Sequence, residues 1–314
     1  MKSALWQGRI DDDDAGSTRR WHQAIEEWQE GDAPGIALLG FACDAGVQRN
    51  LGRPGAAAGP REIRRRLANL ALHDDSPRYD AGDIVCTGDA LEEAQTAFAE
   101  KIEEILGADQ FPIGLGGGHE IAWASFHGLA RFLASSGCLA VPKIGIVNFD
   151  AHFDLRSGSH GHSGTPFRQI ADDCASRQWP FFYACFGVSR FANTEALFNR
   201  ARQLGVVWRE DEKLSLQQLS AAANELSNFL ASVDVVYLTI CLDVLPPDLL
   251  PGVSAPSARG VGLEVLEPLI DLVLGSGKVR LADVAELNPA FDIDGRSARV
   301  AARLVARIAE KGAC

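Results

Sequence analysis

Three side chains that can bind metal ions lie within five residues of one another in the sequence DAHFD. They are Asp150, His152 and Asp154, directly after the apolar run KIGIVNF. Alternate side chains of an extended segment point to the same side, so these three can converge on one point. Carboxylate and imidazole ligands favour Mn²⁺, Zn²⁺, Co²⁺ or Fe²⁺ over ions that prefer thiolates. The motif therefore predicts a metal site at the end of a buried strand.

Further candidate residues follow other apolar runs. His119 comes after the glycines of GGGHE, which allow a tight turn and a close backbone approach. Cys241 and Asp243 belong to TICLDVL, and Glu286 lies in DVAELNP. His119 and Asp243 are additional candidate metal ligands, whereas a carboxylate such as Glu286 could hold a cationic amidine or guanidine. His162, in the loop LRSGSHGHSGTPF, is a candidate proton shuttle or substrate contact.

Strands and helices that must position these residues alternate from about residue 36 onward. Apolar runs predict strands in GIALLGFACDAG, FPIGLGGGHE, KIGIVNFDAHFD, PFFYACFGVS, GVVWRE, VVYLTICLDVL and VRLADVAELNP. Helical patterns cover 59–72, 92–106, 121–134, 194–203, 214–231, 262–275 and 294–312. This alternation favours a parallel sheet with helices on both faces and an active site at the carboxyl ends of its strands. No linker divides the chain, so we expect one domain over 1–314, with 1–33 as an N-terminal extension packed on it.

Composition narrows the class of protein. The chain has 314 residues and a formal net charge of −12, which argues against a nucleic-acid partner. Its seven cysteines are irregularly spaced, which argues against a zinc knuckle or a disulfide framework. No secretory signal and no apolar run of membrane-spanning length is visible. We expect a cytoplasmic protein that acts on a small molecule, without a membrane partner; homo-oligomer formation stays open.

Taken together, the motifs resemble the ureohydrolase (arginase/agmatinase) superfamily. The matching pieces, in the order of that superfamily, are GGGHE, NFDAHFD, CLDVLPP, PGVSAPSARG and AELNP. The segments WQGRID, GFACDAGVQRNLGRPGAAAGPREIR and SGTPFRQI are most similar to its formimidoylglutamase branch. The resemblance implies a three-layer α/β/α fold with a mainly parallel sheet of about eight strands. It also implies two Mn²⁺ ions and the hydrolysis of N-formimidoyl-L-glutamate to L-glutamate and formamide, a reaction of histidine degradation.

The same resemblance implies a ligand set for each ion. His119, Asp150 and Asp154 match the ligands of one ion. Asp150, His152 and Asp243 match the ligands of the other. Two cations that share a water would lower its pKa, and the resulting hydroxide would attack the formimidoyl carbon.

Other residues are assigned catalytic and binding roles. Asp154, Glu286 and His162 are the predicted catalytic residues, and Glu286 matches the glutamate that faces the cationic nitrogen of the substrate. His162 matches a mobile proton-shuttling histidine, although the loop spacing differs. Because the substrate has two carboxylates, the pocket should offer cations, and Arg49 and Arg156 are the candidates. The alternative for both is an ordinary surface arginine.

Cys241 departs from the superfamily pattern, which has an aspartate at this position that helps to bridge the ions. The thiol could bind a metal as thiolate, or it could leave a looser pair or a single ion. It could also be a redox-sensitive blocker that forms a disulfide with Cys43, which ends the first strand. Mass spectrometry after mild oxidation would contradict that hypothesis if activity fell without a cross-link between 43 and 241. Two buried free cysteines are the simpler alternative.

Other activities stay open from the sequence. A guanidinobutyrase or agmatinase type of hydrolase is the closest competitor. A single-metal amide hydrolase similar to the deacetylases would need only Asp150, His152 and Asp243. A metal-binding protein without activity is the remaining class.

Overall fold

The computed structural model describes residues 5–11, 17–137 and 141–312. Within these ranges nine strands form one sheet, and all paired neighbours are parallel. In chain order the strands are β1 (Ile25–Glu27), β2 (Ile36–Ala42), β3 (Arg78–Val85), β4 (Phe111–Leu115), β5 (Ile144–Phe149), β6 (Phe182–Val188), β7 (Val207–Glu210), β8 (Val235–Cys241) and β9 (Val279–Ala285). Their order across the sheet is β1-β3-β2-β4-β9-β8-β5-β6-β7.

Helices connect the strands. In chain order they are α1 (Trp21–Ala24), α2 (Ala45–Arg49), α3 (Gly59–Leu67), α4 (Leu91–Gly107), α5 (Ile121–Ser136), α6 (Pro166–Ser176), α7 (Glu195–Gln203), α8 (Leu219–Ala231), α9 (Leu263–Leu274) and α10 (Arg296–Gly312). In the described ranges no helix is long and apolar enough to cross a membrane.

The sheet lies between two helical layers, each with its own buried apolar cluster. Helices α3, α8, α9 and α10 pack on one face, and α4, α5, α6 and α7 pack on the other. In β2 the side chain of Leu38 packs in the first cluster, whereas those of Leu39 and Phe41 pack in the second. Buried strands are covered on both sides, which explains why they are apolar throughout rather than alternating. The predicted three-layer α/β/α fold is confirmed, with nine strands in place of about eight.

The two strands without a sequence signal are β1 and β3. Strand β1 has only three residues, and β3 has the polar sequence RYDAGDIV. The charges of β3 are tolerated because the buried Arg64 of α3 pairs with Asp80 and Asp83, at 2.8 Å and 2.5 Å. The stabilising charge lies on a different element, α3, so an apolar pattern within the strand could not reveal it.

The described part of the segment before residue 34 supplies the edge strand β1 and packs further side chains against the sheet. Trp21 is 1% exposed and lies in the apolar cluster of α3 and α10, together with Trp6 and Ile25. The indole Nε1 of Trp6 donates to Asp80 Oδ2 at 2.7 Å. These contacts support the proposal that 1–314 is one domain with 1–33 as a packed extension.

Candidate metal centre

The candidate ligands follow four strands that are neighbours in the middle of the sheet, β4, β9, β8 and β5. Asp150 directly follows β5, and Glu286 directly follows β9. His119 lies in the turn after β4, and Asp243 lies in a 3-10 helix after β8. Parallel strands have their carboxyl ends at one edge of the sheet, so these side chains meet there.

The glycines before His119 are required by a close approach of two backbones. The amide of Gly117 donates to the carbonyl of Phe41 at 2.8 Å, and Gly118 donates to Cys43 at 2.9 Å. A Cβ atom on Gly117 would lie 1.7 Å from the carbonyl oxygen of Cys43. Only glycine fits, and the turn delivers His119 to the end of β4.

The DAHFD segment is held in place by Asn193, which the sequence analysis did not single out. The Asn193 side chain accepts a hydrogen bond from the amide of Phe153 at 3.1 Å and donates to the carbonyl of Ala151 at 2.9 Å. Asp154 has a φ of 47°, a left-handed conformation that costs a non-glycine residue about 1–3 kcal/mol. The surrounding hydrogen bonds hold the segment in this conformation, which sets the direction of the Asp154 carboxylate.

One group of potential ligands forms around His119. Its Nδ1 lies 3.0 Å from Asp150 Oδ2 and 2.9 Å from Asp154 Oδ2. Its other ring nitrogen, Nε2, lies 3.1 Å from the hydroxyl of Thr239, and this contact holds the orientation of the imidazole ring. Ligand atoms of His119, Asp150 and Cys241 all lie within 4.8 Å of one another.

A second group forms around His152. Its Nδ1 lies 3.1 Å from Asp243 Oδ2 and 3.6 Å from Asp150 Oδ1. Ligand atoms of Asp150, His152 and Asp243 also lie within 4.8 Å of one another. Asp150 belongs to both groups, so one carboxylate could serve two ions. This donor chemistry fits a pair of divalent cations of the Mn²⁺ type.

The charges of the cluster also favour cations. Burial and the negative charge of Asp150 raise the pKa of Asp154 to about 6. Burial lowers the pKa of His119, but hydrogen bonds to Asp150 and Asp154 outweigh it and raise that pKa well above its usual value. Despite burial, the neighbouring carboxylates Asp243 and Asp150 likewise raise the pKa of His152, so both imidazoles lie in surroundings that favour positive charge. Divalent cations would supply the same positive charge.

The sequence profile of the arginase family matches residues 34–310. The chain belongs to the arginase family. It is 59% identical, over 98% of its length and 94% of the relative's, to a formimidoylglutamase of Ralstonia nicotianae. A formimidoylglutamase of Aromatoleum aromaticum is 52% identical over 98% of this chain and 92% of the relative. The crystal structure of Trypanosoma cruzi formiminoglutamase with Mn²⁺ superposes with a TM-score of 0.82 and 25% identity, covering 94% of this chain and 98% of that one.

Most of the predicted site residues of this arginase-family chain surround one cavity of about 250 Å³. Those that line it are His119, His152, Asp154, Arg156, Cys241, Asp243 and Glu286. Asp150 is fully buried beside them and hydrogen-bonded to Asn148 at 3.0 Å. The structure therefore brings the predicted metal ligands and Glu286 together.

Glu286 occupies a position set by backbone geometry. Its φ of 72° is left-handed, and its amide donates to the carbonyl of Gly117 at 2.8 Å. Its Oε1 accepts a hydrogen bond from the amide of His119 at 2.8 Å. Among the described residues, the buried Oε2 has no hydrogen-bond partner. Burial and the charge of Asp243 raise the pKa of Glu286 to about 7.

Two predicted residues lie elsewhere. Arg49 is absent from the described lining of the cavity, and its guanidinium is bonded to Asp89 at 2.7 Å and to Glu92 at 2.6 Å. Its prediction as a substrate contact is not supported by this geometry, because two carboxylates already neutralise it. His162 lines a neighbouring cavity with Arg49, and its Nδ1 accepts from the amide of Gly164 at 3.1 Å. Its role as a proton shuttle stays a prediction.

Arg53 is a charged residue of the cavity that the sequence analysis missed. It lies in RNLGRPGAA, where nothing in the local pattern separates it from Arg49. In the structure Arg53 lines the cavity and Arg49 does not.

Cys241 is 1% exposed, at the end of β8. Burial, followed by the charges of Asp150 and Asp243, raises the pKa of its thiol well above the usual value. Cys43 and Cys241 are both free, and Cys43 Sγ lies 3.8 Å from Glu120 Oε1. A disulfide between them would have to break that contact, and its formation stays a prediction.

Replacing Cys241 with aspartate should let the ion of the His119 group bind at least as tightly as it does in the wild type. The change restores a hard oxygen ligand beside His119 and Asp150, and Mn²⁺ prefers oxygen to sulfur. Metal content after dialysis and Mn²⁺ titration calorimetry would measure the effect, with Cys241→Ser as the neutral control of similar size. Lower metal content in Cys241→Asp than in the wild type would mean that the thiol itself is needed.

Proposed function

We propose that this protein hydrolyses N-formimidoyl-L-glutamate to L-glutamate and formamide, with two Mn²⁺ ions as cofactor. The observation that carries the proposal is a pair of ligand groups sharing Asp150, with the carboxylate of Glu286 on the same cavity. The relatives named formimidoylglutamase, at up to 59% identity over nearly the whole chain, support this substrate. The T. cruzi structure, described as containing Mn²⁺, supports the choice of metal.

His119, Asp150, Asp154, His152 and Asp243 would hold the ions, with Cys241 beside them. When bound, such a pair lowers the pKa of a shared water enough to supply a nucleophile near neutral pH. The thiol of Cys241 is a soft donor, so the oxygen and nitrogen ligands carry most of the binding to Mn²⁺.

Glu286 orients the substrate. The formimidoyl group is basic, and its cation would pair with the free Oε2 of Glu286 while Oε1 stays bonded to the amide of His119. The contact places the formimidoyl carbon at the metal edge of the cavity. Attack there gives a tetrahedral carbon, which collapses when the departing nitrogen of glutamate is protonated. Asp154, which lines the cavity beside His119, could carry that proton.

A substrate panel with product analysis tests the proposal. The protein, purified under reducing conditions with Mn²⁺, should release formamide and glutamate from N-formimidoyl-L-glutamate. Arginine, agmatine and 4-guanidinobutyrate should give little urea, since none of them has two carboxylates. Urea from any of these, with no formamide from formimidoylglutamate, would assign a guanidino hydrolase instead. Release of acetate from N-acetylated amines would favour the deacetylase type.

A further inference from the structure

We infer that Arg53 binds one of the two substrate carboxylates and thereby sets the preference for an acidic substrate. The inference rests on the proposed function and names the residue that confers selectivity at the same cavity.

The guanidinium of Arg53 is anchored before any substrate arrives. Its Nε donates to the carbonyl of Ser254 at 3.3 Å, and its Nη2 donates to the carbonyl of Val253. Its planar group lies 3.9 Å from the ring centre of Phe291. These partners are neutral, so the positive charge is not cancelled. Among the described residues Nη1 has no hydrogen-bond partner, which leaves a donor for a ligand.

The cavity has opposite charges in different parts of its wall. The metal edge carries the carboxylates of Asp154, Asp243 and Glu286. Among the described lining residues, Arg53 and Arg156 are the only arginines or lysines. A substrate with a cationic formimidoyl group and anionic carboxylates matches that division. Arg156 is exposed, whereas Arg53 is half-buried and fixed, so Arg53 loses less freedom when it binds.

Arg53 is also connected to the residue that orients the reacting group. It holds the backbone of Ser254, which lines the same cavity as Glu286. Contacts to the two ends of the substrate would thus come from the wall of one cavity. This arrangement favours substrates in which the distance from the amidine to the carboxylate is correct.

Arg53→Met tests the inference, with Arg53→Lys as the conservative variant and Arg65→Met, on the exposed side of α3, as the matched control. Three substrates are compared: N-formimidoyl-L-glutamate, N-formimidoyl-4-aminobutyrate without the α-carboxylate, and N-formimidoyl-L-glutamine without the side-chain charge. Arg53→Met should raise KM for formimidoylglutamate about ten- to a hundredfold, as expected for one charged hydrogen bond, with little change in kcat. Arg53→Lys should recover part of the loss, and Arg65→Met should match the wild type.

The analogues separate recognition from a structural role. For the analogue that lacks the carboxylate read by Arg53, the wild type and Arg53→Met should have equal KM. In Arg53→Met the inhibition constant of L-glutamate should rise by a factor similar to the rise in KM for formimidoylglutamate. Equal losses on all three substrates, a fall in Mn²⁺ content, or an unchanged KM for formimidoylglutamate would overturn the inference. If the wild type itself releases no formamide from formimidoylglutamate, the proposed function fails instead.

Discussion

The Asp150→Asn variant is expected to lose most of its bound metal, and its kcat/KM should fall at least about a thousandfold. The reason is that a metal site stabilises the transition state by several kcal/mol. Asp150 is the residue that both ligand groups share. Its Oδ2 faces His119 at 3.0 Å, and its Oδ1 lies 3.6 Å from Nδ1 of His152. An asparagine has nearly the same size but offers one oxygen and one NH₂ group, so one of the two ions must face a donor instead of an acceptor.

Metal analysis and activity measured on the same sample would check this result. Asp172→Asn is the matched control, because Asp172 is an exposed carboxylate of α6 that pairs with Arg168. Circular dichroism should show an unchanged fold for both variants, since the substitution removes buried negative charge without changing volume. An Asp150→Asn protein with two ions and full activity would show that Asp150 is not a shared ligand.

The sequence predicted the sheet best where strands are buried on both faces. β5 and β8 are continuous apolar runs because helices cover them on each side, and both were identified. β3 was missed because its polar residues are stabilised by Arg64 of α3, a tertiary pairing with no local signal. Helix α6, which begins at Pro166, was not singled out either.

The cluster of candidate metal ligands could be predicted because its residues follow buried strands. DAHFD is a local motif after a buried strand, and the parallel sheet brings His119 and Asp243 to the same edge. The two arginines could not be assigned from sequence. Arg49 and Arg53 are four residues apart, but Arg49 pairs with Asp89 and Glu92, whereas Arg53 turns into the cavity. Which of them keeps its charge available depends on contacts between segments that are distant in the chain.

Glu286→Gln is expected to lower kcat/KM for formimidoylglutamate about a hundredfold while the Mn²⁺ content stays at the wild-type value. Glu286 belongs to neither ligand group, so the ions should not depend on it. In the wild type, Oε1 of Glu286 accepts a hydrogen bond from the amide of His119 at 2.8 Å. The carbonyl oxygen of glutamine can accept the same bond. The other end of the side chain changes from a carboxylate oxygen into an NH₂ donor, which would face the cationic formimidoyl group.

The matched control for Glu286→Gln is Glu264→Gln, which makes the same chemical change at an exposed position in the first turn of α9. Steady-state kinetics, metal analysis and inhibition by L-glutamate would be measured on both variants. Because L-glutamate lacks the formimidoyl group, its inhibition constant should be the same in Glu286→Gln and the wild type. This measurement distinguishes the role of Glu286 from that of Arg53, because replacing Arg53 should weaken the binding of L-glutamate. A Glu286→Gln protein that lost its Mn²⁺ would place Glu286 in the metal centre, and one with unchanged kinetics would remove it from substrate binding.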